Sequence, residues 1–437
     1  MTNKNILSLT FILLLITFSS ALAQENDEAN SGSFYSGIGF GSPADVQSPY
    51  SMGMGLSGVS NFSGYISNIS NPGQWGLLNF SQGTISVKVD QIRASDLNST
   101  AKNSIFAIES FHFAFPILRG KLGGSLSVTP LIRSDFRQQQ RGFFPTPGVP
   151  DESIEYLINT TGSGGVNRFE LGLGYKLNNY ISLGYGFSAN VLSLNEDVSP
   201  IFSDLQFLPT EFEREIEGYD IGHRFGLYAF KGNLFKEEDQ LSFGISLQLP
   251  ISISADRYVT AFQIVDNRRT QLNLNENSPN NSGNVELPLE INTGLTYNFS
   301  RFTNITTEVL IQNWSDAEFT FNDTQQSYFS NRVKTGLGFQ YHPYRADRSS
   351  GFFSNFKYST GVSYDTGHLT IHNEDIETIM LSAGLGIISN RSASSIDVSL
   401  QYGIRGTESS NLVKENIWGF KISLNLAEFM FVQQRFQ

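Results

Sequence analysis

From about Gln82 to the end of the chain, apolar and polar residues alternate one by one. A period of two admits little besides β-strands with one face in an apolar medium and the other in a polar one. Ile85, Val87 and Val89 alternate with Ser86, Lys88 and Asp90. Leu241, Phe243, Ile245, Leu247 and Leu249 alternate with Ser242, Gly244, Ser246 and Gln248. The same holds for Ile396 to Ile404 against Asp397 to Gly403, and for Trp418 to Leu426 against Gly419 to Asn425.

The alternation predicts strands near 82–93, 102–116, 121–137, 164–178, 180–196, 217–231, 239–255, 285–298, 302–316, 328–342, 353–367, 376–389, 394–407 and 415–431. That is about 14, an even number, as a single-chain bacterial barrel requires. The stretch 153–162 reads either as a further strand or as part of a long loop. Connections alternate between short ones, such as 117–120 and 299–301, and long ones at 138–163, 197–216 and 256–284. Outer-membrane barrels have this asymmetry, with tight periplasmic turns and long outer loops, and with an even count both barrel ends of the chain face the periplasm. A soluble propeller would repeat a blade motif about every 40 residues, and none recurs here. The expected fold is therefore all-β: a transmembrane antiparallel β-barrel with lipid outside and a polar lumen inside. Its mean hydropathy of -0.18 does not oppose this, because the two faces of each strand cancel.

The first 80 residues read differently. Lys4, the apolar run Ile6 to Phe18 and the small-x-small site Ala21-Leu22-Ala23 form a secretory signal over 1–23, since about 13 apolar residues are too few for a spanning helix. A polar lead follows, and from Phe34 to about Asn79 the chain is rich in Gly, Ser, Asn and Pro with poor alternation. Residues 24–80 are expected to form this lead and an irregular plug, or hatch, and 81–437 the barrel. The destination is the cell outer membrane, reached through a cleaved signal.

Composition excludes several classes. The chain has no cysteine, so there is no disulfide scaffold or thiolate metal site. A formal charge of -12, about -13 once Lys4 is removed, makes a poor nucleic-acid binder. The five histidines, His112, His223, His342, His368 and His372, fall in no His-Glu-x-x-His pattern, and no Gly-x-Ser-x-Gly elbow or P-loop occurs. No enzyme activity, cofactor or metal is expected.

Two segments resemble a known family. Leu287-Pro288-Leu289-Glu290 through Tyr297, with the return Thr307 to Trp314-Ser315, resembles the hairpin of the long-chain fatty acid transporter (FadL/TodX-like) family: a Pro opens a strand, Gly and Tyr close it, and a Trp ends the return. Asn71-Pro72-Gly73 stands where that family has Asn-Pro-Ala, with Gly73 as the departure. The resemblance implies passive diffusion of hydrophobic small molecules, such as long-chain fatty acids, with capture at outer loops, a site beside the plug and exit through the barrel wall. The implied partners are a hydrophobic ligand, outer-membrane lipid and, during biogenesis, the barrel-assembly machinery; a monomer is expected. The alternatives are a barrel scaffold or shuttle of a secretion or attachment system, and a general porin.

Three groups of residues are site candidates besides the plug motif. Lys88, Asp90, Glu170, Arg224, Glu308, Asp397 and Lys421 fall on the lumen register, where they set selectivity or form a structural ion-pair network holding the plug, the latter being favoured because buried charges are paired. Phe202, Leu205, Phe207, Leu208 and Phe212, in the long connection 197–216, form either an outer capture surface or the small core of a loop. Arg133, Arg137 and Arg141 read as a rim facing anionic groups.

Overall fold

A computed structural model describes residues 31–145, 153–203, 207–265, 268–272, 282–321, 328–343, 352–388 and 394–428. The signal, the first part of the lead and Leu205 lie outside these residues.

Fourteen staves close into one antiparallel barrel. They are β1 (Ser81–Ser95), β2 (Thr100–Leu118), β3 (Leu122–Arg133 and Phe136–Pro145), β4 (Ser153–Lys176), β5 (Ile181–Phe202), β6 (Thr210–Gly232) and β7 (Gln240–Gln248 and Ile251–Val265). There follow β8 (Ser282–Leu287 and Glu290–Ser300), β9 (Thr303–Gln312), β10 (Arg332–Tyr341), β11 (Phe356–Asp365), β12 (Thr378–Ile388), β13 (Ser395–Arg405) and β14 (Lys414–Glu428). Sequence neighbours pair throughout, and β1 pairs with β14 from Ser81–Glu428 to Ser95–Lys414, which closes the ring. We call the end where β1 starts and β14 finishes the lower end.

The alternation reads correctly as inside and outside. Leu381, Leu385, Leu400, Trp418, Leu424 and Leu426 are exposed, while Ser399, Ser423, Asn425 and Gln401 are buried. A β-barrel in lipid needs this inversion, because hydrocarbon replaces water around it. Lipid-facing threonines satisfy their hydroxyls within the wall: Thr307 donates to the Gly336 carbonyl at 3.1 Å and Thr360 to the Ser382 carbonyl at 3.0 Å.

The wall is uneven in height. β4, β5 and β6 have 24, 22 and 23 residues, against 10 or 11 in each of β9 to β13. A membrane strand needs only about 9–11 residues. The long staves therefore rise well above the rest at the upper end. This settles one open reading and corrects one expectation. The stretch 153–162 is strand, part of β4, and most of 197–216 is not a loop, because β5 runs to Phe202 and β6 starts at Thr210. Polar and acidic residues hid these extensions, since above a membrane a strand needs no apolar outer face.

Two staves break at prolines. Pro250 interrupts β7 and Pro288 interrupts β8, side by side between the Gln248–Glu290 and Ile251–Leu287 pairs. Proline has no N–H for the ladder, so it stands where pairing lapses.

The lumen is not uniformly polar, contrary to expectation. Behind the tall staves, inward Ile132, Val166, Leu192, Ile216, Ile251, Ile253 and Val285 meet Phe40, Trp314 and Phe321 in one apolar cluster. The Trp of the family-like hairpin is therefore an inner packing residue; its ring lies 5.7 Å from that of Phe40.

Candidate functional site

Residues 31–80 lie against inward-facing side chains around the ring. Asn71, Pro72 and Gly73 form the tightest joint. Asn71 caps the helical turn Pro72–Leu77, its Oδ1 accepting from the Gly73 N–H at 2.8 Å, and Pro72 fills the first turn, where no N–H is needed. The Asn71 amide donates to the Val59 carbonyl at 2.8 Å and to Leu227 of β6 at 3.0 Å. A Cβ at Gly73 would stand 2.8 Å from the Tyr228 nitrogen. Alanine does not fit there, which accounts for the departure from Asn-Pro-Ala.

The lumen charges have partners, most of them ionic, whereas Glu308 is held by N–H groups and a hydroxyl. Arg224 donates to Glu170 at 2.5 and 2.9 Å, and its remaining N–H groups reach the Ile69 and Ser70 carbonyls at 2.9 and 3.2 Å. Glu308 accepts from the N–H groups of Ser57, Gly58 and Val59 at 2.8, 2.8 and 2.9 Å, and from the Ser57 hydroxyl at 2.7 Å. Lys421 meets Glu109 at 2.5 Å and Gln47 at 3.0 Å. Asp397 pairs with Lys357 at 2.6 Å, and Lys88 with Asp90 at 2.8 Å. Thus Glu170–Arg224, Glu308 and Lys421 reach the N-terminal segment directly, while the Lys88–Asp90 pair and Asp397 belong to the wall.

Sequence reasoning missed the partners. Arg332 bridges Asp365 and Asp45, with Lys334 on Asp45 at 2.7 Å. Glu415 accepts from Ser33 at 2.9 Å and from the Phe34 N–H at 2.7 Å, holding the start of the segment at the upper end. Arg332 and Glu415 lie on the inward register, so extending the period-two count to the stave ends would have found them. Glu109 was hidden by a bulge: Ser86 pairs with Ser110 and Val87 with Ile108, which turns Glu109 inward.

The proposed capture residues are scattered along the tip of the tall wall. Phe202 and Phe207 stack at 4.7 Å beside Tyr156, Leu208 is exposed, and Phe212 sits within β6. Of the rim arginines, Arg141 pairs with Glu155 at 3.0 Å, and Arg133 reaches into the wall itself.

One lumen cation stands apart. Arg168 is buried, donating to the Thr129 hydroxyl at 3.2 Å and the Gln248 side-chain Oε1 at 2.7 Å, with no carboxylate in ion-pair contact among the described residues. It lines a cleft between the N-terminal segment and the wall whose lining is mixed, with Leu56, Ile69, Leu131 and Leu310 beside Asp45, Glu290, Glu308 and Lys334. At the upper end the hairpin Thr370–Ile371/Glu374–Asp375 folds inward, and Leu369, Ile371 and Ile376 pack on Tyr35 and Leu412. His368 lies 4.9 Å from Trp314, and burial pushes its imidazole down to about 3, helped by Arg332 and Arg405.

The wall itself is incomplete between β2 and β3. Their pairing runs only from Leu118–Leu122 at the lower end to Phe111–Val128. Above that point Ser42 and Pro43 pair with Arg133 and Ile132 of β3, and the Ala44 N–H donates to the Leu131 carbonyl at 2.9 Å.

The fold is similar to that of several solved outer-membrane channels. A Pseudomonas aeruginosa FadL homologue aligns with a TM-score of 0.57 at 12% identity, covering 89% of this chain and 99% of its own. The P. putida toluene transporter TodX aligns at 0.52 and 12%, covering 90% and 99%, and the CymD monoaromatic hydrocarbon channel at 0.51 and 14%, covering 89% and 99%. The chain belongs to the BamG family, whose sequence profile matches residues 2–437. No curated protein matches its sequence significantly.

Proposed function

We propose that the chain is a passive outer-membrane channel for hydrophobic small molecules, with residues 31–80 as a fixed plug and the lower end in the periplasm. The observation that carries this reading is the incomplete wall between β2 and β3, beside clefts that the plug leaves open. A hydrophobic ligand gains about 0.8 kcal/mol for each methylene it keeps out of water. It loses that gain in an aqueous pore and keeps it by slipping sideways into the bilayer. Phe202, Phe207, Leu208 and Phe212 on the tall wall provide the first apolar contact.

Arg168 favours an acidic amphiphile, such as a long-chain fatty acid, over a neutral hydrocarbon. Its hydrogen-bond partners are neutral, with Glu170 and Glu290 acting on it only through space, and a carboxylate in direct contact would complete it. Leu56, Ile69, Leu131 and Leu310 give one apolar stretch of the cleft for a tail. Uptake of radiolabelled oleate into vesicles carrying the purified barrel tests the reading. Protein-dependent uptake that falls when Arg168 is replaced by Ala is the expected result; uptake equal to empty vesicles sinks it.

A second reading, a barrel that accompanies the barrel-assembly machinery as a scaffold, is favoured by membership of the BamG family and by the many buried hydrogen bonds that pin the segment. Stable copurification with that machinery, with no oleate uptake, would decide for it. A general porin is the least favoured, because residues 31–80 fill much of the lumen.

A further inference from the structure

We propose that the upper rim of the wall at β14, β1 and β2 binds a phosphorylated lipid of the outer leaflet, with Arg93, Lys102 and Lys414 on its phosphate and the outward apolar side chains of β2 along its acyl chain. The proposal rests on the channel reading above only for placing the upper end in the outer leaflet.

Arg93 and Lys102 stand directly opposite each other on the outward register, and Lys414, opposite Ser95, is the diagonal neighbour of Arg93. Arg93 and Lys102 are exposed and Lys414 is half-buried. Opposite residues have Cβ atoms about 4.5–5.5 Å apart and diagonal ones about 7–8 Å, and like charges set directly opposite repel. None of the three side chains has an ion pair or hydrogen bond among the described residues. Two carboxylates of the same rim are engaged elsewhere. Asp96 accepts the Asn98 and Ser99 N–H groups at 2.7 and 2.6 Å, and Glu408 accepts the Ser95 hydroxyl at 2.8 Å. A phosphate set among the three cations turns their repulsion into attraction, with the Arg93 guanidinium as a two-pronged donor and the lysines as point charges.

The tiers beneath match an amphiphile. Gln91 and Asn416 offer side-chain amides and Trp418 an exposed indole, the residue types of a headgroup boundary. Phe106, Ile108, Phe111, Phe113 and Phe115 then continue down the outward face of β2. The bulge between Ser86 and Val87 keeps them in line, because Glu109 and Ser110 both turn inward there. Every stave touches lipid tails, so the cations are what select one lipid. Further round the ring the rim has the opposite sign. Glu213, Glu215 and Glu217 of β6 face outward, with Asp197 opposite Glu213 and Asp256 opposite Glu217, and repel the same headgroup. The site is therefore confined to one side of the barrel.

The experiment uses the full-length barrel folded in nonionic detergent micelles, with lipid A, an acylated glucosamine phosphate, as the probe. Bound lipid is counted by native mass spectrometry across a titration. The expected result is one tightly held lipid A per barrel. Binding should be at least tenfold weaker after Arg93→Gln, Lys102→Gln and Lys414→Gln together, and no weaker after Glu213→Gln, Glu215→Gln and Glu217→Gln together. Lipid A stripped of its phosphates should bind the native barrel at least tenfold more weakly, which tests the site without any variant. Undiminished binding by the basic-site variant, an equal loss in the acidic one, or equal binding of the stripped lipid overturns the proposal. Displacement of lipid A by an equal concentration of inorganic phosphate reassigns the site to a free anion and overturns the lipid. Binding is read without uptake, so its failure leaves the channel reading standing, and a barrel that carries no oleate leaves the binding result readable.

Discussion

Two seams of this barrel invite comparison. The seam that joins the ends of the chain, β1 to β14, is paired along its full length, although the two strands are as far apart in sequence as the barrel permits. The seam between β2 and β3, neighbours joined by a three-residue turn, is paired only in its lower half. Sequence proximity therefore does not decide where a wall is weak; local chemistry does. Along β1–β14, Thr84 donates to Asn425 at 2.8 Å and Ser86 to Ser423 at 3.0 Å, adding side-chain bonds to the ladder. At the other seam, Pro130 removes an N–H and Leu131 is a bulged residue between the Pro130–Asn167 and Ile132–Val166 pairs. The neighbouring stave follows the bend through Gly164 and Gly165, at φ 109° and 138°, where a side chain would meet the Ser193 and Ile132 carbonyls.

The same contrast holds behind the wall. Lys421 and Glu109 neutralise each other behind the closed seam, while the hydrogen-bond partners of Arg168 behind the tall staves are neutral side chains. The largest effect is expected from breaking the first of these. Lys421→Met strands Glu109 as an unpaired buried carboxylate and should cost about 3–5 kcal/mol, read from the urea midpoint of the detergent-folded barrel. Adding Glu109→Leu should recover most of the loss; a double variant as unstable as the single one would refute the pairing. Next, Ile422→Pro, in mid-stave β14 between β13 and β1, should cost about 3 kcal/mol or more, because it removes a ladder bond that the open seam already lacks. A variant as stable as the parent would erase the distinction between the seams.

Arg168→Ala should weaken oleate binding, followed by calorimetry, by roughly 10- to 100-fold, the worth of a hydrogen-bonded charge at about 1.5–3 kcal/mol. Binding of a neutral alkane of the same length should be unchanged, and an equal loss for both would remove the headgroup assignment. Pro130→Val restores an N–H and should slow amide exchange around 129–133, with a stability gain of no more than about 1 kcal/mol. The smallest effect concerns the inward hairpin over the mouth. The His368 imidazole is held down to about 3 from an ordinary value near 6.5, so the unfolded form binds the extra proton first. Hairpin stability should therefore fall as pH drops from about 6.5 toward 3, and should be flat above that range. Exchange at 369–376, corrected for intrinsic rates, checks it, and His368→Phe should abolish the dependence.

The alternation alone determined the number of staves, which side chains face lipid and some of the charges that face inward, because a pleated strand can put neighbours only on opposite faces. It also marked 34–79 as something other than wall. It did not reach the tall extensions, because above a membrane both faces of a strand tolerate polar residues. Nor did it find Asp45 beneath Arg332, Glu109 at its bulge, or Pro43 in the wall. Those places depend on which residues the closed ring brings together across hundreds of positions, and on one-residue irregularities that reverse inside and outside. A local period carries no information about either.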